Sequence, residues 1–109
     1  MTLSGVLKER EKKRMALRKD ALKEVRRLVS LLCERYKFES IYIYGSILSD
    51  RFVRHSDIDM VIKGLKVSDF FKAHAYLIKE SLYNIDLKPF EDLSEDFKKK
   101  VISGGTKIG

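Results

Sequence analysis

The chain has 109 residues, of which 44% are hydrophobic, and a formal net charge of +7 at pH 7. This length is enough for a modest hydrophobic core, and we expect residues 1–109 to form a single domain. No apolar run approaches the ~20 residues of a membrane-spanning helix, so we expect no membrane partner.

The first predicted element is a long basic helix over residues 6–36. Residues 8–27 contain ten Lys/Arg and four Asp/Glu, and therefore carry most of the net charge. Such a stretch can meet nucleic acid or an acidic partner protein. No aromatic residue is interleaved to stack on bases, so a solvated face or a protein partner is favoured over nucleic acid. Five residues at helical spacing form its apolar stripe: Leu22, Val25, Leu28, Val29 and Leu32.

The single cysteine, Cys33, lies in this helix and excludes an internal disulfide. It follows Leu31 and Leu32, and no basic neighbour is evident that would favour its thiolate form. We therefore expect a buried, unreactive thiol, as suits a protein of the reducing cytoplasm.

Strand patterns follow the helix. The run Ile41-Tyr42-Ile43-Tyr44 is β-branched and aromatic, and predicts a buried strand that ends at Gly45. Residues 46–56 form a polar loop, residues 57–62 predict a second strand, and residues 82–88 predict a third. The third strand should stop before the chain's only proline, which cannot donate to a ladder.

Two shorter helices complete the pattern. Ser68 is placed to cap a helix that runs to Lys79, and Ser94 is placed to cap a last helix over residues 95–102. The order α-β-β-α-β-α predicts an α+β fold of two layers. We expect a small mixed sheet of three or four strands flanked by helices.

The most informative feature is Gly45-Ser46, followed after ten residues by Asp57-Ile58-Asp59. Alternate residues of a strand face the same way, so Asp57 and Asp59 should share a face. Two adjacent carboxylates repel each other unless one binds a proton or a cation lies between them. A hard divalent ion such as Mg²⁺ resolves this conflict. Because a glycine turn can bring backbone N–H groups to phosphate oxygens, the pattern predicts a site for a metal–nucleotide complex.

A third carboxylate, Asp86, lies on the next predicted strand, 27 residues after Asp59. If the two acid-bearing strands are neighbours, Asp86 approaches Asp57 and Asp59, and the three can bracket one or two ions. Metals about 3.5–4 Å apart suit displacement at phosphorus, because they bind the attacking and leaving oxygens. Asp86 would then assist deprotonation of an incoming hydroxyl. The structural alternative for Asp86 is a surface ion pair with Lys88.

The spacing of Gly45-Ser46, Asp57-x-Asp59 and the later Asp86 resembles the signature of the polymerase-β nucleotidyltransferase superfamily. This resemblance implies a polymerase-β-like core in which Gly45 and Ser46 contact the nucleotide phosphates. It also implies that Asp57 and Asp59 hold Mg²⁺ and that Asp86 completes the catalytic acidic triad.

The segment IYIYGSILSDRFVRHSDIDMVI, residues 41–62, more closely resembles the minimal nucleotidyltransferases, as does the ending IDLKPFEDLSEDFKKKVISGGTKIG. The resemblance covers about residues 38–109, which we expect to be the catalytic core. Many minimal nucleotidyltransferases are antitoxins encoded beside HEPN-type ribonuclease toxins. The resemblance therefore implies transfer of AMP from ATP to a tyrosine of such a toxin, which blocks its RNA cleavage.

One departure and two alternatives accompany this resemblance. Many relatives have a basic residue directly after Gly-Ser, whereas this chain has Ile47, and Arg51 or Arg54 could meet the triphosphate instead. The acceptor could also be a small molecule or an RNA end. The third possibility is a binding module that neutralises its partner by steric occlusion alone. A clustered acidic triad argues against a purely steric role.

Overall fold

The computed structural model describes residues 3–49 and 51–109. The helices and strands follow the predicted order, with one further short strand at the end. They are α1 (Leu3–Arg35), β1 (Ser40–Tyr44), β2 (Ile58–Lys63), α2 (Val67–Glu80), β3 (Ile85–Pro89), α3 (Glu95–Gly104) and β4 (Thr106–Lys107). The predicted α+β class with a small mixed sheet is thereby confirmed.

The four strands form one sheet in the order β3-β2-β1-β4. β1 pairs antiparallel with both β2 and β4, whereas β2 and β3 are parallel. β3 begins three residues later than predicted and includes Pro89, which pairs in register with Ile62. Since β3 is an edge strand, its last residue can be a proline without loss of an inner ladder bond.

Helices cover the two faces of the sheet unequally. α1 and α2 pack on one face and form the main core with alternate residues of the strands, among them Ile41, Ile43, Ile58, Met60, Ile62, Ile85 and Leu87. The opposite face carries a smaller cluster in which Val61 and Phe90 pack with Val101 of α3. One end of this second face carries the acidic side chains.

α1 divides into a buried half and an exposed half. Its predicted stripe is confirmed for Val25, Leu28 and Leu32, which are fully buried, while residues 8–16 are all exposed. The prediction for Cys33 is wrong, because its side chain is exposed. At 100° per residue Cys33 lies beside the stripe, not within it, so adjacency to Leu32 was a poor guide.

A buried acid ties α1 to the chain segment before β3. Glu24 accepts a hydrogen bond from Arg27 Nε at 2.6 Å and another from the backbone N–H of Leu82 at 2.9 Å. Arg27 in turn donates to the carbonyl of Glu80 at 2.6 Å. The Arg27 contact is the main reason that the pKa of Glu24 lies below its usual value. These bonds fix the start of the segment that leads to the third acid.

The two predicted helix caps have different outcomes. Ser94 caps α3 as predicted, since its Oγ accepts from the backbone N–H of Phe97 at 3.2 Å. Ser68 does not cap α2, because the helix begins one residue earlier at Val67 and its N-cap is Lys66. In the described part of the chain, no helix combines the length and the apolar character needed to cross a bilayer.

Candidate active site

Strand register places two of the predicted acids side by side. Asp59 is the second residue of β2 and lies opposite Asp86, the second residue of β3. On its other side Asp59 faces Tyr44, the last residue of β1. Residues in register on neighbouring strands project from the same face, so Tyr44, Asp59 and Asp86 form a row across three strands. The neighbouring strands on which the predicted site depended are therefore present.

Gly45 brings the backbone against this row. Its φ of +80° lies in the left-handed region, which side chains rarely adopt. A Cβ at this position would lie 2.6 Å from Asp59 Oδ2. The bend continues into a short 3₁₀ turn over Gly45–Leu48, anchored by the buried side chain of Ile47. Glycine is thus needed twice, for the turn and for the close approach to the Asp59 carboxylate.

The bend also has its own polar support. The backbone N–H of Ser49 donates to the carbonyl of Ser46 at 2.9 Å, and Ser49 Oγ donates to the same oxygen at 3.1 Å. Ser46 is half-buried and Gly45 is exposed. The predicted phosphate-contacting residues therefore lie on an ordered turn that opens beside the acidic row.

Lys88 is a cation within the site. Its Nζ donates to Asp86 Oδ2 at 2.6 Å and to the hydroxyl oxygen of Tyr44 at 3.2 Å. These contacts, that of Asp86 above all, raise the pKa of Lys88 above its ordinary value. The Tyr44 ring is held in turn by an edge-on contact with Phe97 of α3, with ring centroids 5.4 Å apart. Sequence alternation placed Lys88 on the face of Asp86, but only the structure shows the link to Tyr44.

Among the acids of the row, Asp59 has a shifted pKa. Its pKa is raised above the ordinary value of 3.8, first because the side chain is partly removed from water. The negative charges of Asp86 and Asp57 raise the pKa further, while the ammonium of Lys88 lowers it. Burial and the neighbouring carboxylates thus make the charged form of Asp59 less stable than that of a carboxylate in water.

Asp57 stands outside the strand that was predicted to carry it. It is exposed, and β2 begins at Ile58, although the charge of Asp57 still acts on Asp59. Among residues 3–49 and 51–109, no three His, Cys, Asp or Glu side chains gather closely enough to hold a metal ion. Carboxylates repel each other at short range. In addition, one oxygen of Asp86 is paired with Lys88.

The donor chemistry nevertheless fits a hard divalent cation. Asp59 and Asp86 offer carboxylate oxygens from neighbouring strands, and Asp57 offers a third carboxylate from the adjacent loop. Oxygen donors of this kind are those that Mg²⁺ prefers. A divalent cation here would offset the repulsion that Asp86 and Asp57 exert on the Asp59 carboxylate.

The basic loop residues lie elsewhere. Arg51, Arg54 and His55 are all exposed, and the charge of Arg54 acts on Tyr83 on the other side of the loop. The charges that shift the pKa of Asp59 are those of Asp86, Lys88 and Asp57. A triphosphate role for Arg51 or Arg54 therefore remains a prediction.

Comparison with known proteins identifies the class. Residues 26–109 match the sequence profile of the family Polymerase beta, Nucleotidyltransferase. The chain therefore belongs to this family, and the resemblance found in the sequence is confirmed. No curated protein sequence matches the chain significantly.

Two solved structures are similar in fold. One is a crystal structure of a toxin-antitoxin with AMP-PNP, which has 21% identity and a TM-score of 0.64 over 74% of this chain and 68% of that chain. The other is described as a candidate minimal nucleotidyltransferase, with 19% identity and a TM-score of 0.65 over 80% of this chain and 92% of that chain. At these identities the likeness establishes the shared fold.

Proposed function

We propose that this protein is a Mg²⁺-dependent adenylyltransferase that transfers AMP from ATP to a tyrosine of a partner protein. The partner would be a HEPN-type ribonuclease toxin, which makes this chain the antitoxin of a cytoplasmic toxin–antitoxin pair. The observation that carries the proposal is the pairing of Asp59 with Asp86 beside the Gly45 bend. The fold shared with a toxin-antitoxin structure that contains AMP-PNP supports the choice of nucleotide and partner.

Each site residue has a proposed role. Asp57, Asp59 and Asp86 would hold one or two Mg²⁺ ions, and Gly45 and Ser46 would lie against the nucleotide phosphates. The metal would supply positive charge that offsets the charge developing on the phosphate oxygens. Exposed backbone at a glycine bend suits phosphate contact because no side chain blocks the approach.

The proposed reaction is a displacement at the α-phosphorus of ATP. The acceptor oxygen forms a bond to that phosphorus, the bond from it to the bridging oxygen breaks, and pyrophosphate leaves. The proton of the acceptor hydroxyl passes to Asp86, which acts as general base. The protein contributes alignment and electrostatic stabilisation, which is the usual division of labour in such transfers.

An exposed apolar ridge on α2 supports a protein acceptor. Val67, Phe71 and Ile78 are 87%, 78% and 56% exposed, and intervals of four and seven residues put them on one side of the helix. Contiguous exposed apolar residues usually mark a surface that a partner buries. Leu82, which follows α2 and precedes Asp86 by four residues, is also exposed, at 89%.

A second candidate is transfer to an RNA end. Residues 8–16 are an exposed stretch of α1 and include five basic side chains, which could attract a phosphate backbone. This stretch contains no aromatic residue that could stack on bases, so RNA is the weaker of the two candidates.

The proposal is tested by incubating the protein with ATP labelled at the α-phosphate, Mg²⁺ and a co-expressed HEPN-type toxin. Label on a toxin tyrosine is expected, and Asp59→Asn should reduce it by about 100-fold or more. Asp92→Asn, an exposed acid outside the row, is the matched control and should retain activity. Label on RNA or on a small molecule would support another acceptor. Toxin inhibition without any label would establish steric neutralisation.

A further inference from the structure

We propose that Lys88 is an internal counter-ion that occupies Asp86 in the metal-free protein and must leave it before a divalent cation binds there. This inference rests on the proposed metal site, because Lys88 would compete with the metal ion for Asp86. Lys88 would act as a positioning residue that sets how tightly the acidic row binds metal.

Lys88 forms a short ion pair with Asp86. Lys88 and Asp86 lie two residues apart on the same face of β3, and their charged atoms are 2.6 Å apart. This is the short distance of a charge-assisted hydrogen bond. The oxygen concerned belongs to the side chain that stands opposite Asp59. A second cation on the same oxygen would meet the positive charge of the ammonium group at close range.

A second anchor holds the ammonium over the site. The Tyr44 hydroxyl accepts from Lys88 Nζ at 3.2 Å, and the Tyr44 ring packs against Phe97. Lys88 therefore spans from β3 to β1 across the Asp59 strand. A lysine that merely paired with an acid at the surface would not need a partner two strands away.

The net charge of the site couples metal binding to the release of Lys88. Lys88 supplies one positive charge against the three negative charges of Asp57, Asp59 and Asp86, so the site remains negative and still attracts a divalent cation. Once that cation binds, Lys88 is repelled by a larger charge than its own. Binding and release of Lys88 are thus coupled, and the affinity for free metal is lower than the acids alone would give.

The test is titration of the full chain with Mn²⁺ by isothermal calorimetry, without nucleotide. Lys88→Met should lower the dissociation constant about tenfold, which is the scale of one charge-assisted hydrogen bond. Lys63→Met is the matched control, because Lys63 lies at the far end of β2 and pairs with Glu39 at 3.6 Å. If Lys88→Met does not fold, Lys88→Gln keeps a polar contact available to Tyr44.

Asp86→Asn completes a double-mutant cycle. The gain from Lys88→Met should disappear when Asp86 is replaced, because the two residues compete through one carboxylate. Equal or weaker Mn²⁺ binding by Lys88→Met, or the same gain from Lys63→Met, would overturn the proposal. If the wild-type protein still bound Mn²⁺ through Asp86, the metal site itself would stand. Absence of binding in both wild type and Lys88→Met would overturn the metal site and the proposal together.

Discussion

At Gly45 a single added methyl group would strain the backbone conformation and collide with the Asp59 carboxylate. Gly45→Ala forces an L-residue into the left-handed region and places its Cβ 2.6 Å from Asp59 Oδ2. We expect it to lower the free energy of unfolding by about 1–3 kcal/mol, measured by urea denaturation. Nucleotide transfer should fall as well, because the Asp59 carboxylate must move aside.

Gly104→Ala is the control for this change. Gly104 is the last residue of α3, and a Cβ there has no neighbour within 4 Å. Alanine at a helical position should be neutral or stabilise the protein by up to about 1 kcal/mol. Equal destabilisation by both alanines would show that the Gly45 bend has no special requirement.

Asp59 should make the metal-free protein less stable at neutral pH. Its folded-state pKa is raised above 3.8, so the folded chain holds this proton more tightly than the unfolded chain does. Stability from this group is therefore present below the ordinary pKa and is lost as the pH rises through the folded-state pKa. Asp59→Asn should unfold at a higher urea concentration than wild type at pH 7. At about pH 3 the two midpoints should converge.

Added Mg²⁺ provides the check on that prediction. It should raise the midpoint of the wild-type protein and leave Asp59→Asn nearly unchanged, because only the former has the full carboxylate set. If millimolar Mg²⁺ does not change the urea midpoint of the wild-type protein, Asp59 does not bind Mg²⁺ and the prediction is wrong.

At the scale of elements, strand alternation predicted more of the site than any other signal. It placed Asp59 and Asp86 on faces that could meet, and the register of β2 and β3 brings them directly opposite. It failed at Asp57, since the strand starts one residue later than the acidic pattern suggested. The start of a strand depends on its ladder partner, and here the carbonyl of Asn84 accepts the first bond, from Ile58. No local pattern records that contact.

α3 lies beside the acidic row, on the same face of the sheet. It packs Phe97 against Tyr44, and its first turn depends on the cap at Ser94. Ser94→Ala should therefore cost about 1 kcal/mol of unfolding free energy and loosen the position of Tyr44. Thermal denaturation gives the first quantity, and the tyrosine near-ultraviolet circular dichroism reports the second.

Ser103→Ala serves as the comparison within the same helix. Its hydroxyl donates to the carbonyl of Lys99 at 2.7 Å, a bond inside the last turn that a helix does not require. This variant should lose clearly less stability than Ser94→Ala. The reverse order would show that the N-terminal cap is not what holds α3 against the sheet.

At the scale of the whole molecule, the two faces of the sheet have separate tasks. One face is closed by α1 and α2 and supplies the core, while the other is only partly covered by α3 and leaves the acidic row open. The sequence predicted the three helices and the first three strands, but it did not locate the short strand β4. It could not predict the bridge from Lys88 to Tyr44, because that contact joins β3 to β1 across an intervening strand and depends on side-chain conformation.

The two halves of α1 should contribute unequally to the stability of the whole domain. Residues 8–16 are exposed, whereas Ala21, Val25, Leu28 and Leu32 are fully buried against the sheet. A chain that begins at residue 17 should keep a cooperative unfolding transition and Asp86-dependent Mn²⁺ binding. A chain that begins at residue 38 should not fold, because each large apolar side chain lost from the core costs about 2–5 kcal/mol.

Circular dichroism and urea denaturation of the two truncated chains would decide this point. We propose that residues 1–109 form a single domain in which the second half of α1 belongs to the catalytic core. Cooperative folding of residues 38–109 alone would contradict that proposal, since the strand face of Ile41 and Ile43 would then be stable without its helix. Loss of folding in the chain that begins at residue 17 would instead assign the exposed basic turns a structural role, which their solvent exposure argues against.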